Sequence, residues 1–406
     1  MREGRRRSGP AVMGRLIGLV KPLLPLMCLA ILLGVAGYLC AIFLTILAGQ
    51  ALFRGLMEMM GISLMPGMTG GFASMGFTSL FFLLILLAVL RGVLHYGEQY
   101  CNHFIAFKLL AVIRHKVFAA LRRLCPAKLE GRDKGNLIAV LTSDIELLEV
   151  FYAHTISPIV IAVLTSGIMI LYIGRNSAAA GILALAGYLA VGAAVPLLVG
   201  RAGGQEGLWM RNSFGDLNSF ILDSLRGLDE TIQYRGGAKR LQEMEERSRR
   251  LGKMQRKLNR LEASQRSVTN LLILLFSFAM LILMLYFYRE GGVDYRQMLT
   301  AVIAMMGSFG PAVALSNLSN NLNQTLASGE RVLSLLEESP KVEEIEGKER
   351  AVFGDVTMEQ VDFAYEKEQI LRNCSLTVPR GKILGIHGAS GSGKSTILKL
   401  LMRFWD

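Results

Sequence analysis

Residues 382–401 read KILGIHGASGSGKSTILKLL. An apolar run enters a glycine-rich turn, and an amphipathic helical stretch leaves it. The turn fits G-x-x-x-x-G-K-[ST] at Gly388, Gly393, Lys394 and Ser395. Glycines let the backbone curl so that its N–H groups converge on an anion. The start of the following helix favours negative charge. In this pattern Lys394 reaches the β- and γ-phosphates of a nucleotide, and the Ser395 hydroxyl ligates Mg²⁺. The candidate set for ATP and Mg²⁺ is therefore Gly388, Ser390, Gly391, Ser392, Gly393, Lys394, Ser395 and Thr396, with Ser395 as the metal ligand. Tyr365 stands 23 positions before Gly388 at the end of an apolar alternating run, where an aromatic ring is placed to stack on adenine.

The residues upstream are of another kind. The chain is 52% hydrophobic with a mean hydropathy of +0.42, too apolar for an ordinary soluble domain, yet 19% of its residues are charged. Apolar runs long enough to cross a bilayer alternate with charged stretches. Six spans are expected, near 23–48, from Phe72 through TSLFFLLILLAVL, and near 152–173, 178–200, 269–288 and 297–318. Lys and Arg crowd the N-terminus and the second-to-third and fourth-to-fifth connections, whereas the other connections hold only Arg54, Arg175, Arg289 and Arg296. That asymmetry places the N-terminus, both long connections and the C-terminus in the cytoplasm of a cell-membrane protein. The net charge of +12 is thus accounted for by the membrane surface, which excludes nucleic acid as the partner. The five cysteines form no CxxC pair and read as small buried hydrophobes, not as a disulfide framework or metal site.

The two cytoplasmic connections are about 50 to 65 residues long and helical in composition. A helix crosses a bilayer in about 20 residues, so these project well beyond it. Each is expected to break near its middle, at PAKLEGRDKGN and between SLRGLDE and QYRGG. After the last span an acidic linker leads to short apolar strands, VTMEQVDFAY, CSLTVP and KILGIHG. The organisation read from this is a cytoplasmic segment with an interfacial helix (1–22), a six-helix transmembrane domain (23–336), a linker (337–352) and the first part of a nucleotide-binding domain (353–406). The fold class is an α-helical membrane protein whose six long helices extend into the cytoplasm, followed by the N-terminal fragment of an α/β P-loop domain.

Six spans, two long connections, a polar linker, VDFAY and GASGSGKST together resemble an exporter-type half-transporter of the ATP-binding cassette (ABC) superfamily. The resemblance covers essentially the whole chain. It implies ATP-driven export by alternating access in a homo- or heterodimer of half-transporters, an unknown small-molecule substrate, and a lipid bilayer as surroundings. It also implies that Tyr365 stacks on adenine and that the breaks near Leu129–Gly135 and Leu225–Thr231 are coupling helices docking on cassettes. The stretch FYAHTISPIVIA is similar to the heterodimeric exporters of amino acids and thiols, with multidrug and lipid export as the alternatives. The family's cassette continues with a glutamine loop, a signature motif, a carboxylate motif carrying the catalytic Glu, and a switch histidine. None lies within these 406 residues. No catalytic residue is therefore assigned, and the sequence is expected to be truncated after the Walker A motif, with ATPase activity belonging to the complete protein.

Two other readings compete: a truncated, non-catalytic membrane partner or regulator of a full half-transporter, and a membrane-tethered P-loop kinase. Ionisable residues also fall at membrane depth. Arg91, His95 and Glu98 at the inner end of the second span, and His154 at the start of the third, are either functional or snorkelling to the interface. Gly307, Gly310 and Pro311 interrupt the sixth span, as a cavity bend or a packing kink.

Overall fold

Among the described residues, six helices are long and apolar enough to cross a membrane: Lys21–Met59, Phe77–Leu124, Leu137–Gly174, Ala178–Leu198, Gly237–Arg289 and Tyr295–Ser316. They come from a computed structural model that describes residues 7, 9–60, 76–130, 132, 134–342, 352, 354–365 and 368–405, and of 10, 134–136, 199–208, 211, 212 and 317–324 the backbone alone. The expected beginning of the second span at Phe72 lies outside the described residues.

The helices are α1 (Gly9–Gly18), α2 (Leu24–Met59), α3 (Phe77–Leu124), α4 (Lys134–Ala139), α5 (Ile145–Phe151), α6 (Ser157–Gly174), α7 (Ala178–Leu189), α8 (Val195–Arg226), α9 (Leu228–Gln233), α10 (Gly237–Arg289), α11 (Tyr295–Gly307), α12 (Gly310–Leu336) and α13 (Lys394–Leu401). Wider π turns at Val140–Asp144, Tyr152–Ile156 and Ala190–Ala194 join α4 to α5, α5 to α6 and α7 to α8. At 48 and 53 residues, α3 and α10 are each more than twice the length a bilayer requires. Both long connections break where their sequence suggests. The first turns after Leu124, and the second turns at Gly227 and again at Tyr234–Gly236, where Arg235 adopts φ 53°.

The chain divides into two compact units. The larger comprises Met1–Ala111 and Ser143–Glu330. Its core joins Ile42 and Ile46 of α2, Met169 and Ile173 of α6, Ala180 and Ala184 of α7, Met280 and Met284 of α10, and Ala301, Ala304 and Met305 of α11. Small residues let these helices approach closely. A Cβ on Gly181 would lie 2.9 Å from the Gly174 Cα, so α6 and α7 meet backbone to backbone beside their turn. Between α10 and α11, Asp294 and Gln297 form a capping box that starts the last membrane helix. That helix is interrupted at Ser308 and Phe309, and Pro311 sits in the first turn of its continuation, where its missing N–H costs nothing.

The expected interfacial helix is α1, but protein covers its apolar face. Val12, Leu16 and Val20 are buried, the Tyr152 hydroxyl donates to the Leu16 carbonyl at 3.1 Å, and Arg15 stays exposed. The missing side chain of Gly329 in α12 makes room for Leu16.

The smaller unit comprises Val112–Thr142 and Arg331–Asp406. It holds an antiparallel pair, β1 (Val356–Tyr365) and β2 (Glu368–Val378), with Phe363 opposite Leu371 and Tyr365 opposite Glu368. Met358, Phe363 and Leu371 of the hairpin and Ile397 of α13 form its core. One strand reading fails. KILGIHG is not a strand, and Ile383, Leu384 and Ile386 are exposed. Among the described residues no strand flanks it, and an extended segment without a ladder partner forms no sheet.

Candidate nucleotide site

The turn at 388–393 is shaped by its glycines. Gly391 and Gly393 adopt φ 84° and 86°, a left-handed conformation that costs a residue with a Cβ about 1–2 kcal/mol. Gly393 is also the point of closest approach to β2, because a Cβ there would stand 2.9 Å from Leu371 Cδ2 and 3.2 Å from Ile370 Cγ2. A Cβ on Gly388 would meet Ser392 Oγ at 2.8 Å. The loop therefore closes tightly on itself and on the hairpin.

Lys394, the first residue of α13, folds back over the loop. Its Nζ donates to the carbonyls of Gly388 at 2.8 Å and Ala389 at 2.6 Å, and lies 3.3 Å from Ser392 Oγ. Ser395 is exposed at the start of α13, as are Ser390, Gly391 and Ser392 in the loop. Thr396 is buried, and Ile397 beside it seats the helix on the hairpin. This donor set fits a polyphosphate and its metal: an ammonium inside a glycine turn, N–H groups at a helix start, and an exposed hydroxyl beside them.

Tyr365 ends β1, held edge-on by Phe363 and by Trp405, each 4.9 Å away between ring centroids. The Lys399 ammonium lies 5.7 Å from the Tyr365 ring centre. The hairpin thus carries Tyr365 to the flank of the helix that leaves the glycine turn.

Sequence reasoning missed the other side of this helix. Lys399 pairs with Glu130, on the turn that follows α3. Its hydrogen bond to that carboxylate pushes the lysine above its ordinary range. The same turn is tied to the end of the last membrane helix, where Glu338 accepts from Arg132 at 2.6 Å and pairs with Lys128 at 3.5 Å. No local pattern announces pairs made across more than two hundred residues. The basic residues near a helix break were the only hint.

Comparison with known proteins agrees with this architecture. Residues 26–311 match the ABC transporter transmembrane region, and residues 371–406 match the ABC transporter family. The chain is 44% identical, over 403 residues, to a probable ABC transporter ATP-binding/permease protein of Haemophilus influenzae, covering 99% of this chain and 70% of that protein. It is 26% identical to the glutathione/L-cysteine transport system ATP-binding/permease protein CydC of Escherichia coli, across 79% of this chain and 56% of that one. It is 25% identical to the ATP-dependent lipid A-core flippase of Photorhabdus laumondii, across 80% and 56%. The chain therefore spans 70% of the first relative and little more than half of the other two. With both family matches in order along one chain, and a relative 44% identical over nearly the whole of this chain, this multi-pass membrane protein belongs to the ABC transporter family.

Proposed function

We propose that the complete protein is an ATP-driven exporter in the cell membrane, acting as a dimer of half-transporters by alternating access. Residues 23–336 form the transport pathway, 337–352 link it to the cassette, and 353–406 begin the cassette. In this reading the loop from Gly388 to Gly393 wraps the phosphates and Lys394 neutralises the terminal ones. Ser395 holds Mg²⁺, Thr396 anchors the helix start, and Tyr365 stacks on the adenine. The bound nucleotide–metal pair supplies the energy of phosphoryl transfer, and residues beyond these supply the catalytic groups. The N-terminus, both long connections and the C-terminus lie in the cytoplasm.

The observation that carries this reading is the Lys394 ammonium held inside a left-handed glycine turn, in a chain whose described residues include six membrane-length helices. Phosphate binding and a membrane path in one polypeptide are the two halves of a transport motor. The relatives include a named thiol transport system and lipid flippases at similar identity, so they support export without selecting its cargo. The test is Mg-ATP hydrolysis in lipid by the product of the complete gene, with and without Lys394→Ala. Hydrolysis lost in the variant is expected. Equal hydrolysis by both proteins overturns the assignment of this loop.

A further inference from the structure

Glu98 is 4% exposed on a membrane-spanning helix, α3. A charge there is costly unless it has partners, and such a residue marks function by default. Its partners are donors. Asn102 Nδ2 donates to one carboxylate oxygen at 3.1 Å, as does Gln99 Nε2 at 3.4 Å, and His95 Nδ1 lies 3.0 Å from the other. The carboxylate fixes which way the Asn102 amide points, because only its NH₂ end can face an anion. That leaves Asn102 Oδ1, on a residue 1% exposed, buried with no hydrogen-bond partner. A buried acceptor without a donor costs about 1–3 kcal/mol.

The group continues outward. His103, beside Asn102 on α3, lies 3.4 Å from Glu149 of α5, and its ring meets His154 edge-on at 5.3 Å. His154 sits on the Tyr152–Ile156 π turn, within electrostatic range of Glu149 and Glu98, and is exposed. Wide turns of this kind are frequent at binding sites. His154 is exposed, His103 and Glu149 are half-exposed and Asn102 and Glu98 are buried, and the two groups meet through the electrostatic reach of His154 to Glu98. On the α2 side the wall is close and apolar, since a Cβ on Gly34 would run into Ile161 and stand 3.2 Å from Glu98 Cγ. Arg91, two turns earlier on α3, is exposed.

We propose that Glu98, Asn102, His103, Glu149 and His154 form a site for a protonated primary amine carried by the transported molecule. Three acceptors stand ready to meet a ligand, Asn102 Oδ1 and the two carboxylates, with the exposed His154 imidazole at the outer end. An anion would be repelled by both carboxylates. A primary ammonium brings one positive charge and three N–H donors, matching a carboxylate and a carbonyl oxygen at once. A metal ion fits less well, because among the described residues no group of His, Cys, Asp and Glu is set to hold one. This site rests on the transport reading for its role, but not for its binding. The same ammonium could belong to a free amine or to a lipid headgroup.

The test uses the complete protein in nanodiscs of phosphatidylcholine, a lipid without N–H donors. Dodecylammonium is titrated and binding is followed as a rise in the unfolding midpoint. Dodecyltrimethylammonium (charge without N–H) and dodecanol (a donor without charge) serve as comparisons. Dodecylammonium is expected to bind most tightly, and Glu98→Gln and Asn102→Leu each to weaken it by about tenfold or more. The midpoint of each variant without ligand, and its binding of a fluorescent ATP analogue, report whether it is folded. Equal binding of the trimethyl compound, no binding by the wild type, or an unaltered affinity in folded Glu98→Gln each overturns the site. Repeating the titration in phosphatidylethanolamine separates the two sources. A response abolished there identifies the lipid headgroup, and a preserved response identifies a free amine. Lys394-dependent ATP hydrolysis without amine binding would sink this site alone, whereas amine binding without such hydrolysis would leave the site and remove the motor.

Discussion

Lys399, five residues past Lys394 on α13, donates a hydrogen bond to Glu130 on the turn that follows α3. The phosphate loop and that turn are therefore joined by one helix and one ion pair. Both side chains are partly exposed, so the pair contributes less than about 1 kcal/mol to stability. Its effect is expected in coupling. Lys399→Glu should leave ATP affinity within about twofold while lowering the transport achieved per ATP hydrolysed, and the swap with Glu130→Lys should recover part of it. Transport and hydrolysis assayed together in proteoliposomes decide this, and unchanged coupling in the single variant refutes it. The lysine's pKa is raised by the pair, so the contact persists through neutral pH. It is lost as the medium turns alkaline past the ordinary lysine range.

Gly393→Ala combines a left-handed backbone with a Cβ pressed against Leu371. Strain of about 1–3 kcal/mol is expected, concentrated in the phosphate loop. Binding of a fluorescent ATP analogue should fall by about tenfold or more, while the membrane helices keep their thermal stability. Affinity equal to wild type would show that this glycine's conformation is not needed for binding.

Gly181→Ala places a methyl group against the Gly174 backbone, which has no flexible end to yield. Overpacking of about 1–3 kcal/mol should outweigh the gain of about 1 kcal/mol from replacing a helical glycine. Gly167→Ala on the same hairpin meets nothing within 4 Å and should be neutral or stabilising. Thermal unfolding of the two variants in detergent gives the comparison, with Gly181→Ala expected to melt lower.

Glu338 holds Arg132 and Lys128 together, and its side chain is 20% exposed. Glu338→Gln removes the charge and keeps the shape. A loss of about 1 kcal/mol is expected, appearing as faster amide hydrogen exchange in residues 126–130 and not in α6 or α7. Unchanged exchange there would show that the turn is held by packing alone.

The sequence made the long elements legible for a simple reason. Twenty apolar residues in a row have few folds open to them, and the breaks at PAKLEGRDKGN and SLRGLDE carry their own turn chemistry. The turn at 388–393 was legible because Gly391 and Gly393 stand where its backbone is left-handed. The strand reading of KILGIHG failed because a strand depends on neighbours that its own residues do not encode. Lys399 with Glu130, and Asn102 with Glu98, were illegible for different reasons. The first pair spans 269 positions. The second is local, four residues apart, but only packing against α2 shows that it is buried.

The helix from Leu137 to Gly174 contains two π turns, at Val140–Asp144 and Tyr152–Ile156. A π turn is an ordinary turn carrying one surplus residue, and each residue of an α-helix advances the helix face by about 100°. The surplus is slack stored in an otherwise rigid rod. Shedding it at Tyr152–Ile156 would turn everything beyond by roughly a quarter of a revolution while the near half stayed still. His154 sits on that swivel. Such a change would carry with it the side chain of His154, the middle residue of that turn.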